Sequence, residues 1–155
     1  AKMIKDGFIR QVKGNDYKED LISGDAIAVI GWSGDLFQLA SENDGKFEFA
    51  IPESGGMLWS DNLLIPSTST NKANAEKVIN NYYDPAVAAE VAAYVNYICP
   101  VKGAQAEMEK IDPALAASPF IFPTAETLQQ VKVFRGLTPA EETSYTTAFQ
   151  EAAGN

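Results

Sequence analysis

The run Ala26-Ile27-Ala28-Val29-Ile30-Gly31-Trp32 constrains the fold more than any other stretch of this chain. It is apolar throughout and of strand length, which predicts a sheet strand buried on both faces. Ser33-Gly34-Asp35 follow at once, and Ser33 predicts the cap of a helix over residues 34–41 that ends near Asn43 and Gly45. A buried strand running straight into a helix is the repeating unit of α/β architecture.

The flanking sequence continues that pattern. Residues 8–12 predict a strand and Gly14-Asn15 a turn. Asp16 and Glu19 then have capping-box spacing for a short helix closed by Gly24. Residues 47–51 predict another strand, stopped by Pro52. Beyond the loop Glu53-Ser54-Gly55-Gly56, residues 57–66 read as extended and apolar apart from Ser60-Asp61-Asn62, and the Ser/Thr run over residues 67–70 as a solvated loop. Ala75, Val78, Ile79, Tyr82 and Tyr83 fall on one helical face. Asp84 and Pro85 cap and open the next helix, whose Val87, Val91, Tyr94 and Val95 make a second stripe; the two helices predict an antiparallel or angled pair ended by Cys99-Pro100. A helix follows over residues 103–110, then a proline-punctuated stretch over 112–123 and a helix starting at Thr124 and Glu126. Thr138-Pro139-Ala140-Glu141 opens a last helix carrying Tyr145, Ala148, Phe149 and Ala152. Strands alternate with helices in the first half and helices dominate the second, so the class is α/β.

What the chain lacks narrows what it does. There is no histidine, and Cys99 is the only cysteine, so no zinc, haem or iron–sulfur site and no histidine-activated nucleophile can be assembled. Ser–Lys and carboxylate pairs remain as catalytic devices, but no spacing points to either. No catalytic residue, metal or cofactor is therefore predicted, and the lone Cys99 reads as a small buried hydrophobe. Twelve Lys and Arg against 21 Asp and Glu leave a net charge of -9, the wrong sign for nucleic acid and the right sign for attracting cations. With 46% hydrophobic residues the chain can fill a core, and its 155 residues suit one ordinary domain or a piece of something larger. No apolar run approaches the roughly 18 residues of a membrane span, and Ala1-Lys2-Met3-Ile4 opens no signal-peptide core. The expectation is a soluble chain whose export signal has been removed.

In open α/β sheets ligands sit beyond the carboxyl ends of strands. Trp32 ends the apolar run there, either closing the end of a core or facing a ligand beside the free N–H groups of the helix start. Trp59 and Asp61 lie two apart in an extended segment, which puts a π-face and a carboxylate on one side of the chain. That pair suits an alkylammonium, the ring covering methylenes and the carboxylate taking the charged hydrogen bond; the alternative is a core Trp beside an Asp that bonds a turn. Both tryptophans of the chain stand near a carboxylate, Trp32 with Asp35 and Trp59 with Asp61. Tyr97 follows a helix end, either in the core or with its hydroxyl facing a cleft. Asp35 is a second ammonium partner or the cap of its own helix.

These strings carry a resemblance. Ser23-Gly24-Asp25-Ala26 through Trp32-Ser33-Gly34-Asp35, then Pro52-Glu53-Ser54-Gly55-Gly56-Met57-Leu58-Trp59-Ser60-Asp61-Asn62-Leu63-Leu64-Ile65-Pro66, then Asn71-Lys72-Ala73-Asn74-Ala75, resemble the spermidine/putrescine-binding family of extracytoplasmic ABC-transporter receptors. The resemblance runs over nearly the whole chain. It implies a periplasmic-binding-protein-like fold of type II, a two-lobed receptor that closes on a polyamine and delivers it to permease subunits. It also implies a periplasmic or extracytoplasmic location, with a lipid anchor on the parent protein as a variant. Trp32 matches a tryptophan that packs on the ligand chain, Trp59 and Asp61 a stacking ring and an amine-binding carboxylate, and Tyr97 a binding-site tyrosine. Family relatives also take thiamine-like cations and small anions, for which the helix start Ser33-Gly34 is the natural seat.

Two features depart from the family. Where it often presents a polar residue to the ligand, this chain reads Lys132-Val133-Phe134-Arg135, and an arginine beside a pocket disfavours a cation. The length fits only a C-terminal portion of such a receptor. Residues 1–60 are then expected in the second lobe, 61–107 in a hinge-crossing segment of the first lobe, and 108–155 in a helical return to the second. The helix stripes would lack the cover of the missing N-terminal lobe, which predicts self-association.

Overall fold

The computed structural model describes residues 1–154. In chain order its elements are α1 (Lys2–Lys5), α2 (Tyr17–Ser23), α3 (Ser33–Glu42), β1 (Gly56–Leu58), α4 (Lys72–Tyr82), α5 (Pro85–Val95), α6 (Ala104–Ile111), α7 (Pro113–Ala116), α8 (Ala125–Gln129), β2 (Val131–Val133) and α9 (Pro139–Ala153). They fall into two compact units, one of Ala1–Gly31 with the chain from Phe134 on, the other of Trp32–Val133.

Local side-chain chemistry sets four of the described helix starts. The Asp84 carboxylate accepts the Ala86 N–H at 2.9 Å with Pro85 in the first turn, and Asn96 closes α5 in the left-handed region at φ 58°. Thr138 and Glu141 form a reciprocal capping box at the start of α9, with Glu141 Oε2 accepting the Thr138 N–H at 2.9 Å. Asp112 Oδ1 takes the Ala114 N–H at 2.8 Å, and Thr124 Oγ1 takes the Thr127 N–H at 3.2 Å, opening α7 and α8. Each such cap contributes about 0.5–2 kcal/mol. Two expected caps differ. Trp32, in extended conformation, occupies the cap position of α3, and Ser33 is the first helical residue. Asp16 precedes α2 but is already helical (φ -71°, ψ -3°), and its side chain makes no cap bond because a capping side chain needs the extended backbone that turns it back onto the helix.

The strands depart most from the sequence reading. Among the described residues the only ladder is β1 with β2, parallel, pairing Gly56 with Val131, Met57 with Lys132 and Leu58 with Val133. Residues 8–12, 26–32 and 47–51 are not strands, and the segment from 57 on is strand only as far as Leu58. Far from being buried on both faces, Ile27 and Ile30 are 101% and 104% exposed. The reason is physical: a strand is held by a neighbour that takes its N–H and C=O groups, and no described segment pairs with these three.

In the Trp32–Val133 unit the core gathers Ala88, Ala89 and Ala92 of α5, Ala104 and Met108 of α6, and Ala116 of α7 around Cys99, Val101 and Ile121. The alanine face lets α6 approach α5 closely, and α6 rather than α4 is the main partner of α5. Cys99 is the buried small hydrophobe the sequence predicts. Met108 and Ile121 are enclosed, each contributing about 1.5–3 kcal/mol. A second apolar cluster joins Phe37, Phe49 and Phe120, with centroids 5.1–5.6 Å apart. The expected stripe on α5 is not its buried face. Val91 and Tyr94 are exposed and Val87 and Val95 half-buried, because three alanines of α5 take the core; on α4 Val78, and Tyr83 at its cap, are exposed, while Ala75, Ile79 and Tyr82 are half-buried, Tyr82 against the core.

The other unit is thinner. Tyr17 and Leu21 of α2 are its buried side chains, Lys13 and Asp20 pair at 2.8 Å, and no residue of α9 is buried. No described helix is long and apolar enough to cross a membrane.

Candidate functional site

Three short pieces of the Trp32–Val133 unit carry the residues singled out above. Gly55 leads into β1 at φ +95°, where a Cβ would come within 2.9 Å of the Gln130 carbonyl; glycine is required there, and the β1–β2 ladder then anchors the backbone just before Trp59. Trp32 stands at the cap of α3, its carbonyl accepting the Leu36 N–H at 3.2 Å, so its extended backbone carries the indole clear of the helix barrel. Tyr97 comes one residue after the left-handed Asn96 that ends α5. Its ring lies against the first turn of α3: a Cβ on Gly34 would meet Cε2 at 2.4 Å and Cδ2 and Cζ at 2.7 Å.

These pieces bring three rings into one wall. The Trp32 and Trp59 centroids are 5.4 Å apart with planes at 73°, and those of Trp59 and Tyr97 are 5.7 Å apart at 69°. Such edge-to-face contacts are favoured by the ring quadrupoles and contribute roughly 0.5–1.5 kcal/mol each beyond burial. The indoles are nevertheless 46% and 40% exposed, so the wall keeps ring surface in solvent.

One carboxylate is shown to act on the wall. Burial pushes the Tyr97 phenol above its usual range, the Asp35 carboxylate pushes it the same way, and a backbone hydrogen bond from Asp35 works in the opposite sense. Asp35 is thus within electrostatic reach of the Tyr97 phenol. Asp61 lies two residues beyond Trp59 and is exposed, outside the ring contacts. Aromatic faces beside carboxylates attract cations, by about 0.5–2 kcal/mol for each ring engaged. No group of three His, Cys, Asp or Glu suited to a metal occurs among the described residues.

Arg135 belongs to the other unit. Its guanidinium holds Glu141 in a two-pronged pair, Nη2 to Oε1 at 2.6 Å and Nη1 to Oε2 at 3.3 Å, so its charge is matched by the carboxylate that caps α9. Phe134 beside it is exposed. The Trp32–Val133 unit also has an open groove of about 430 Å³ bordered by Phe37, Glu42, Asn96, Asp112 and Leu115, which shares no lining residue with the aromatic wall. Sequence reasoning singled out Gly34 only as a helix-start N–H and missed the close approach of Tyr97 to it. Its signal was a glycine in the first turn of a helix, where backbone conformation does not call for one.

Comparison with known proteins adds a family to this geometry. A model described as bacterial extracellular solute-binding protein matches residues 1–119. The putrescine-binding periplasmic protein PotF of Escherichia coli is 28% identical over 76% of this chain and 32% of its own length. A spermidine/putrescine-binding periplasmic protein of Salmonella typhimurium is 33% identical over 64% of this chain and 27% of its own. The putrescine-binding periplasmic protein SpuD of Pseudomonas aeruginosa is 25% identical over 84% and 36%. The chain therefore spans about a third of the length of the curated relatives it matches.

Proposed function

This chain belongs to the bacterial extracellular solute-binding protein family, which implies a periplasmic-binding-protein-like fold, and on that premise we propose that it is the C-terminal portion of a two-lobed, type II receptor that captures a polyamine for an ABC importer. The ligand is putrescine or spermidine, and the next partner is the permease of the importer. Residues 1–60 and 108–155 belong to the second lobe and 61–107 cross the hinge into the first. The parent protein works in the periplasm or on the outer face of a membrane, and its role is capture and delivery without catalysis.

One observation carries the ligand class: the exposed indoles of Trp32 and Trp59 joined to the half-buried Tyr97, with the Asp35 carboxylate in electrostatic reach of its phenol. A diamine has a methylene chain that rings can cover and ammonium ends that carboxylates can hold. In this reading Trp32 and Trp59 cover one side of the ligand chain, Asp61 and Asp35 take the ammonium groups, and Tyr97 closes the wall. The names of the relatives support the polyamine itself. An anion at the start of α3 is the weaker alternative, because Asp35 places a carboxylate in that first turn and its backbone hydrogen bond is engaged by Tyr97. A thermal-shift panel on the complete receptor tests the class. Putrescine and spermidine should raise its Tm while thiamine, sulfate and acetate do not; stabilisation by anions alone would reverse the reading.

A further inference from the structure

We propose that Gly34 is a positioning residue for the aromatic wall: it seats the Tyr97 ring on the first turn of α3 and thereby sets the face that Tyr97 and Trp59 present to an alkyl-diammonium ligand. The inference rests on the polyamine reading for its ligand and on geometry alone for its structural part.

Gly34 has no positive φ, so its backbone is open to any L-residue. It lies inside α3, where alanine is the better helix former. Neither the turn nor the helix therefore asks for glycine. What a side chain would meet is Tyr97, at 2.4 Å from Cε2 and 2.7 Å from Cδ2 and Cζ. Three atoms of a rigid ring cannot give way as the end of a flexible chain does. The ring also meets Trp59, 5.7 Å away, and its hydroxyl meets the Asp35 backbone. A methyl group at position 34 thus forces Tyr97 off its seat, loosening its contact with Trp59, which in turn meets Trp32. Glycine at this position sets ring orientation by having nothing there.

The test is Gly34→Ala, compared with Tyr97→Phe, Tyr97→Ala and the double variant Gly34→Ala/Tyr97→Ala. Ultraviolet titration of the wild type and Tyr97→Phe isolates the Tyr97 phenol, whose ionisation should move back toward the ordinary tyrosine range in Gly34→Ala as the ring is displaced into water. The near-UV circular dichroism of the coupled rings should fall. Putrescine affinity in the complete receptor should drop at least tenfold in Gly34→Ala, and adding that change to Tyr97→Ala should cost nothing more. If Gly34→Ala fails to fold, recovery of folding in the double variant supports the seat, and failure of both overturns it. An unchanged Tyr97 titration and dichroism in a folded Gly34→Ala also overturns it. A wild type that binds no polyamine would refute the ligand reading, while the titration and dichroism would still decide the role of Gly34.

Discussion

The Trp32 and Trp59 indoles meet edge to face, with 5.4 Å between centroids and 73° between planes. One stands at the cap of α3 and the other just beyond β1, so two unrelated pieces of chain converge on a partly exposed aromatic surface. In a core, such rings would be covered; here both indoles keep surface in solvent.

The charge near that surface is tested at Asp61. Asp61→Asn keeps the shape and removes the charge, so the complete receptor should lose about 1.5–3 kcal/mol of putrescine binding, the scale of a charge-assisted hydrogen bond. Asp35→Asn should lose less. Calorimetry that ranks the two the other way round would make Asp35 the principal ammonium partner.

Asp35 has a second readout that needs no ligand. Its carboxylate is one of two causes raising the Tyr97 phenol, the larger being burial. Asp35→Asn should therefore bring the Tyr97 ionisation part of the way down toward the ordinary tyrosine value, leaving the share due to burial. Ultraviolet titration against Tyr97→Phe measures it.

Acid should loosen α9 first. Arg135, then the backbone and hydroxyl of Thr138, hold the Glu141 carboxyl down from 4.5 to about 2. A depressed carboxylate contributes stability that is present above the ordinary value and lost as pH falls through the depressed one. Helix content followed by far-UV circular dichroism should thus fall between about pH 4.5 and pH 2. In Glu141→Gln that part of the acid dependence should vanish.

The core of the Trp32–Val133 unit depends on Met108, which is fully enclosed. Met108→Ala should cost about 2–5 kcal/mol in denaturant unfolding, because the alanine faces of α5 and α7 have no bulk with which to refill the space.

Helix boundaries were legible in the sequence where the cause is local. Asp84-Pro85 and Thr138 to Glu141 each carry their cap within a few residues, and α5 and α9 start where those residues predict. Strands were not, because their cause is remote. Ala26–Gly31 is a strand only if something pairs with it, and Val131–Val133 is one only because Gly56–Leu58 lies alongside. The spacing of α5 suggested Val87, Val91, Tyr94 and Val95 as the buried face, whereas the close approach of α6 selects Ala88, Ala89 and Ala92. At the candidate site the residue types were readable and their convergence was not, since the seat of Tyr97 on Gly34 joins two helix termini.

The exposed apolar side chains carry a prediction of their own. Val78, Tyr83, Val91 and Tyr94 in one unit, and Ile27 and Ile30 in the other, are apolar side chains left in water that a partner surface would cover. Light scattering on the 155-residue chain should detect self-association that the complete receptor does not show. A monodisperse monomer would mean that these faces need no cover.

The most direct measurement is a calorimetric titration of putrescine into the complete receptor, wild type against Trp59→Ala. Removing the middle ring of the wall should weaken binding by about 1–3 kcal/mol, roughly a fivefold to 150-fold loss of affinity, through lost packing and cation–π attraction. An affinity equal to wild type would contradict the account, since the ring that joins Trp32 to Tyr97 would then play no part in holding the ligand.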